Sequence, residues 1–265
     1  MKNIKSIPIV LILLLLTLAG CKREAPVINL EQVNNREAQK IIAPGMGTIG
    51  IIHDNEIFVY FLNESHNWIL DKVSQFIIPE KSEGVLALGM GFIGVLEDQV
   101  MNFYFLNAQN QWTLDEQVKF VLPAKYNKVS VMRIPWDVGQ IVIEEKPGIL
   151  NFYYLDEFGR WMRDETATFT IPGQIDDYFM LGSMEIGIIN DNKLGVYRLT
   201  ETGEWLLIDD AVLILPENTL AVLTFEPGII AVLDNNNMLQ FYDLDPMENR
   251  WYMDESMNFN IPDFN

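Results

Sequence analysis

Beyond its first twenty residues, the chain repeats its apolar positions with a period of two, not the 3.6 of a helix face. In one segment Trp112, Leu114, Val118, Phe120 and Leu122 fall on one side of an extended chain, interrupted by Glu116, while Thr113, Asp115, Gln117 and Lys119 fall on the other. That is the pattern of a half-buried strand. Other stretches are almost continuously apolar: Ile41-Ile42-Ala43, Val85-Leu86-Ala87-Leu88, Val131-Met132, Phe179-Met180-Leu181 and Leu220-Ala221-Val222-Leu223. Such runs, bounded by turns, predict strands buried on both faces. Polar segments such as Asp54-Asn55, Asp191-Asn192 and Glu201-Thr202-Gly203-Glu204 read as hairpin connections.

These elements recur. Tyr60, Tyr104, Tyr153, Tyr197 and Tyr242 are spaced by 44, 49, 44 and 45 residues. Each is followed eight or nine residues later by a tryptophan (Trp68, Trp112, Trp161, Trp205, Trp251), and a proline lies 11 residues beyond each (Pro79, Pro123, Pro172, Pro216, Pro262). Proline cannot donate to a sheet, so it marks the end of the outermost strand. Four strands in about 45 residues, with one tryptophan per unit, is the pattern of propeller blades. The prediction is an all-β, five-bladed β-propeller of four-stranded antiparallel blades over residues 35–265, with repeats at approximately 35–79, 80–123, 124–172, 173–216 and 217–262. An open solenoid or a large sandwich is the alternative, but a ring leaves only short, protected edges.

The repeat length and the Asn67-Trp68 dipeptide resemble the five-bladed tachylectin-type lectins. The other copies carry Gln111, Arg160, Glu204 and Arg250 before the tryptophan. The resemblance therefore implies an architecture and no sugar-binding residues.

A tryptophan present in every unit is expected to pack between blades. The acids that follow, Asp71, Asp115, Asp164, Asp209 and Asp254, form a ring of five whose uniformity suits turn hydrogen bonding better than acid–base catalysis, which needs two unlike environments. His53 and His66 are the only histidines and Cys21 the only cysteine. No nucleophile-elbow, phosphate-loop or dinucleotide motif occurs. No cofactor and no metal is expected.

Lys2 and Lys5 precede an apolar run from Ile7 to Leu18, too short to span a bilayer, and Leu18-Ala19-Gly20-Cys21 follows. These four residues resemble a bacterial lipobox, which implies a signal peptide over 1–20, diacylglycerol on Cys21, a tether over 21–34 and anchoring in the membrane. Lys22 in place of Asp implies the outer membrane by analogy with enterobacterial sorting. Cleavage removes two lysines and no acid, moving the formal net charge from −19 to −21. Such a surface repels phosphate backbones, so nucleic acid is not an expected partner.

In a repeat protein, function sits where one copy departs from the others, because the scaffold does not need the departure. From Pro123 to Tyr153 is 30 residues, against 25 in the second and fourth copies, so about five extra residues fall within 124–139. They bring Arg133, Trp136 and Asp137 near the expected channel mouth, and these are the candidate ligand- or partner-binding residues. The leading expectation is a non-enzymatic cell-envelope lipoprotein that binds a protein or glycan. The alternatives are a propeller-fold glycoside hydrolase and a subunit of an outer-membrane assembly complex.

Overall fold

The computed structural model describes residues 40–45, 47–89, 91–134, 138–182 and 184–264. The expected signal peptide, the tether with Cys21, and Trp136 and Asp137 lie outside the described residues.

The fold is the expected five-bladed β-propeller. Blade 1 contains β1 (Lys40–Ile42), β2 (Thr48–His53), β3 (Glu56–Leu62) and β4 (Trp68–Ile77). Blade 2 contains β5 (Gly84–Gly89), β6 (Phe92–Glu97), β7 (Val100–Leu106) and β8 (Trp112–Val121). Blade 3 contains β9 (Lys128–Met132), β10 (Gln140–Lys146), β11 (Ile149–Leu155) and β12 (Trp161–Thr170). Blade 4 contains β13 (Asp177–Gly182), β14 (Glu185–Asn190), β15 (Lys193–Leu199) and β16 (Trp205–Ile214). Blade 5 contains β17 (Thr219–Glu226), β18 (Ile229–Asp234), β19 (Met238–Asp245) and β20 (Arg250–Asn260). Every blade is an antiparallel meander in chain order, so among the described residues no blade borrows a strand from another.

The turns form because their residues tolerate positive φ. Asp54, Asp98, Gln99, Asp191, Asn192 and Asn237 adopt it between second and third strands, and His66, Asn110 and Asn249 between third and fourth. In blades 1 to 3 the residue just after the third strand fixes the next turn: Asn63 Oδ1 accepts from the N–H groups of Ser65 and Asn67, and Asn107 and Asp156 do the same in their own blades.

Five apolar cores lie between neighbouring blades and none lies within a single one. Phe103 and Phe120 of blade 2 share a core with Val131 and Ile141 of blade 3, and Phe152 and Phe169 share one with Met180 and Ile186 of blade 4. The last core joins the ends of the chain: Ile41, Ile49, Ile51 and Tyr60 of blade 1 pack with Phe225, Leu239, Phe241 and Phe259 of blade 5. Phe264 extends this seam, with its ring stacked 4.9 Å from His53.

Each tryptophan enters the core that its blade shares with the preceding one. Trp161 stacks on Phe103 at 5.2 Å, Trp205 on Phe152 at 5.6 Å, and Trp68 on Phe241 at 5.9 Å across the seam. The repeated tyrosines meet a phenylalanine near the end of the preceding outer strand: Tyr104 on Phe76, Tyr153 on Phe120, Tyr197 on Phe169 and Tyr60 on Phe259.

The acids after the tryptophans shape the outer strands. Asp71 Oδ1 accepts from the N–H groups of Val73 (2.9 Å) and Ser74 (3.3 Å), and Asp115, Asp164 and Asp254 make the equivalent bond two residues on. Partial burial raises the Asp71 pKa, but hydrogen bonds from Ser74 and the Val73 amide outweigh it and hold the carboxyl below its usual value. The resulting bulge is large: the two-residue advance from Ile57 to Val59 on β3 is matched by five residues, Phe76 back to Asp71, on β4. Residues inside the bulge leave the ladder, and the Ser74 carbonyl accepts from Trp112 Nε1 at 2.9 Å. Trp68 Nε1 donates likewise to Met257 O and Trp251 Nε1 to Ala211 O.

Two expectations need correction. The ring of acids has four members in register and not five, because Val196 pairs with Ile208 where the other blades pair an aspartate. Asp209 lies one residue later, at four from its tryptophan where the others lie at three. Leu114, expected on the buried face, is exposed, since β8 is the outermost strand and bulges at Asp115.

Trp161→Ala is expected to lower the free energy of unfolding by about 3–5 kcal/mol. Trp161 Nε1 is buried without a hydrogen-bond partner, so Trp161→Phe should cost less than Trp112→Phe, which leaves the Ser74 carbonyl unpaired at about 1–3 kcal/mol. Urea denaturation of the two variants side by side checks both the sign and the size of the difference.

Candidate functional site

The turns between first and second strands meet at one end of the ring axis. Gly91 N–H donates to Pro44 O at 3.2 Å, Gly139 N–H to Leu88 O at 3.2 Å, and Gly228 N–H to Leu181 O at 3.1 Å, each bond joining a blade to its predecessor. Gly47 N–H donates to the Glu226 carboxylate across the seam, and Thr224 Oγ1 to Met180 O. The approach is close enough to demand glycine at position 182, where φ is +87° and a Cβ would stand 2.8 Å from Arg133 O and 3.0 Å from Pro227 Cα.

The inner strands end here in buried residues that belong to the cores between blades. Ala43, Leu88, Met132, Leu181 and Phe225 occupy equivalent places at the ends of the five inner strands, and all are fully buried. The extra residues of the third copy fall between β9 and β10, at positions 133–139, against positions 90–91 in blade 2.

Arg133 begins this longer turn, and its side chain is 6% exposed. Nη1 donates to Phe225 O of blade 5 and Nη2 to Ala43 O of blade 1. In a ring of five, blade 3 stands opposite the junction of blades 5 and 1. The guanidinium therefore crosses the axis and places one arm on each side of the seam, a geometry that suits a planar fork and not a single ammonium. Of the three residues singled out in the sequence, the structure thus assigns a position to Arg133, while Trp136 and Asp137 lie outside the described residues.

Two acids near this end, Glu185 and Glu226, are engaged. Glu185 lies opposite Arg198 on the neighbouring strand and accepts from its Nη2 at 2.6 Å and Nε at 2.7 Å. Glu226 receives the Gly47 amide.

On the opposite face, blades 3 and 4 are tied by residues that sequence reasoning did not single out. Lys128 Nζ lies 3.0 Å from Asp177 Oδ1, 2.8 Å from Tyr178 O and 4.2 Å above the Tyr178 ring. Tyr178 OH donates to Glu144 Oε2 at 3.2 Å, while Glu144 Oε1 accepts from Gly148 N–H at 2.7 Å. Burial first, and then Glu144, push the Tyr178 phenol far above its usual pKa. Tyr153, partly buried and bonded to Glu145, is raised in the same way. Both phenols stay protonated and act as donors that join strands. No local sequence signal marks this cluster, since its members pair across a blade junction.

Arg133→Met is expected to reduce stability by about 3 kcal/mol, because two buried carbonyls lose a charged donor, and Arg133→Lys is expected to recover little of it. Denaturant midpoints of the two variants are the measurement. A midpoint unchanged in Arg133→Met would remove the guanidinium from the closure of the seam.

No family model matches the chain, and no curated protein matches it. Among solved structures, it is similar to the SapL1 lectin in complex with alpha methyl fucoside, with 11% identity and a TM-score of 0.49, covering 86% of this chain and 83% of that one. It is also similar to a functionally unknown protein from Desulfotomaculum acetoxidans, with 10% identity and a TM-score of 0.42, covering 81% and 67%. Kluyveromyces lactis Hsv2 is matched at 9% identity and a TM-score of 0.39, covering 84% and 63%, so the chain spans less than two thirds of that protein's length.

Proposed function

We propose that the protein is a non-enzymatic binding module of the bacterial cell envelope, held to the outer membrane through a lipidated Cys21 and offering the surface of its propeller to a protein or glycan. The observation that supports this reading is the buried Arg133 guanidinium, which reaches across this end of the axis to the Phe225 and Ala43 carbonyls and so stands where an axial ligand would bind. A glycoside hydrolase would require two free carboxyls about 5–9.5 Å apart facing one cavity. Glu185 and Glu226 at this end are instead held by Arg198 and by the Gly47 amide. A mature charge of −21 favours a basic or uncharged partner over a nucleic acid. On this reading the longer β9–β10 turn, with Trp136 and Asp137, contributes one contact, and Arg133 fixes its root.

Two measurements test the proposal. Cys21→Ser should move the protein from the membrane fraction to the soluble fraction, and a variant that stays with the membrane would remove the lipid anchor. The full chain, affinity-purified from detergent-solubilised envelope, should retain a partner that Trp136→Ala loses. If no partner is retained, glycans and hydrolase substrates become the next ligands to screen.

A further inference from the structure

Blade 4 departs from the repeat on its outer strand, and the departure is apolar. β16 exposes Leu206 (54%), Leu207 (48%), Val212 (46%) and Ile214 (61%). Counting from each tryptophan, the place of Val212 is held by Gln75, Lys119, Thr168 and Asn258 in the other blades. The place of Ile208 is held by aspartate in all four. Leu207 and Ile214 have apolar counterparts in blades 1 and 2, but blade 3 carries Arg163 and Thr170 at the same places. The scaffold therefore accepts polar residues at these positions, and packing within the ring does not require the apolar ones. Blade 1 also exposes Ile69, Val73 and Ile77, but Lys72 lies among them, so its charge is mixed and not of one sign.

β16 is the last strand in its sheet, and among the described residues no strand lies on its far side. Its surroundings are of one charge: from Glu201 to Leu220 the chain holds Glu201, Glu204, Asp209, Asp210 and Glu217, all exposed, and no Lys, Arg or His. An exposed apolar edge within an acidic frame is complementary to an extended segment with alternating apolar residues and flanking Lys or Arg. A second copy would set Asp209 and Asp210 against like charges, and an anionic bilayer would be repelled by the same acids.

We infer that the outer edge of blade 4 is the docking strand for a protein partner, which adds a basic-flanked apolar β-strand alongside β16. This deepens the binding-module reading and rests on it. The probe is a nine-residue fluorescent peptide of alternating Val and Thr with Lys at both ends, titrated against the full chain in neutral detergent and followed by anisotropy. A Glu-flanked version is the control. The variant combines Leu207→Arg, Val212→Lys and Ile214→Thr, each the residue a sibling blade already carries. Saturable binding of the Lys-flanked peptide, weakened at least about tenfold in this variant while its melting temperature holds, is the expected result. Asp209→Asn with Asp210→Asn should weaken binding and flatten its salt dependence.

Equal binding of the two peptides, or binding unaffected by the variant, overturns the inference. So does vesicle flotation that depends on the same three side chains, which would assign the edge to a membrane, or dimerisation that the variant abolishes, which would assign it to a second copy. A partner retained from the envelope that is lost by Trp136→Ala but kept by the blade 4 variant would leave the binding-module reading standing and reject this edge alone.

Discussion

A ring of blades has one junction that the chain does not make in passing, and every other packing arrangement in the molecule depends on that junction closing. Blades 1 to 4 each meet their successor through a short linker, whereas blade 5 meets blade 1 with no strand exchanged between them among the described residues. Three contacts stand in for the exchange. An aromatic core holds Trp68 against Phe225, Phe241 and Phe259. The C-terminal Phe264 covers its margin against His53 and Phe58. Arg133 reaches from the far side to carbonyls on both sides of the seam. A guanidinium tolerates this burial because its donors meet carbonyl oxygens that would otherwise lose water without replacement.

Within the ring a second device sets the shape of each blade. An aspartate three residues into the outer strand bends it by accepting local amides, and the bulge turns a carbonyl towards the tryptophan of the next blade. One carboxylate thus couples the outline of its own sheet to the docking of another. Blade 4 has Ile208 at this position, yet Leu194 and Val196 still pair with Leu213 and Ile208, so the bulge survives without its aspartate.

Much of this was legible in the sequence because the signals are local and repeated. The Tyr, Trp and Pro spacing disclosed the unit, the unbroken apolar runs disclosed the inner strands, and the Asp and Asn turns occur where positive φ is needed. Contacts between units were not legible. Nothing near Arg133 in the chain points to Ala43 or Phe225, about ninety residues away in opposite directions. Lys128 and Tyr178 likewise meet only because blades 3 and 4 abut. The misplacement of Asp209 has a plainer origin: the spacing from tryptophan is four in blade 4 and three elsewhere, a difference visible in the sequence once the copies are aligned on the tryptophan instead of the acid.

Since each blade is an uninterrupted piece of chain, the boundary of the repeating unit and the boundary of the structural unit coincide. A gene built from such pieces can gain a copy, lose one, or begin at a different copy without splitting any sheet between the two ends of the polypeptide. The same modularity lets one blade change its outer surface without disturbing the hydrogen-bonded ladders of the other four. Divergence among the five copies can therefore accumulate on the outer strands while the inner strands, which every neighbour touches, stay apolar.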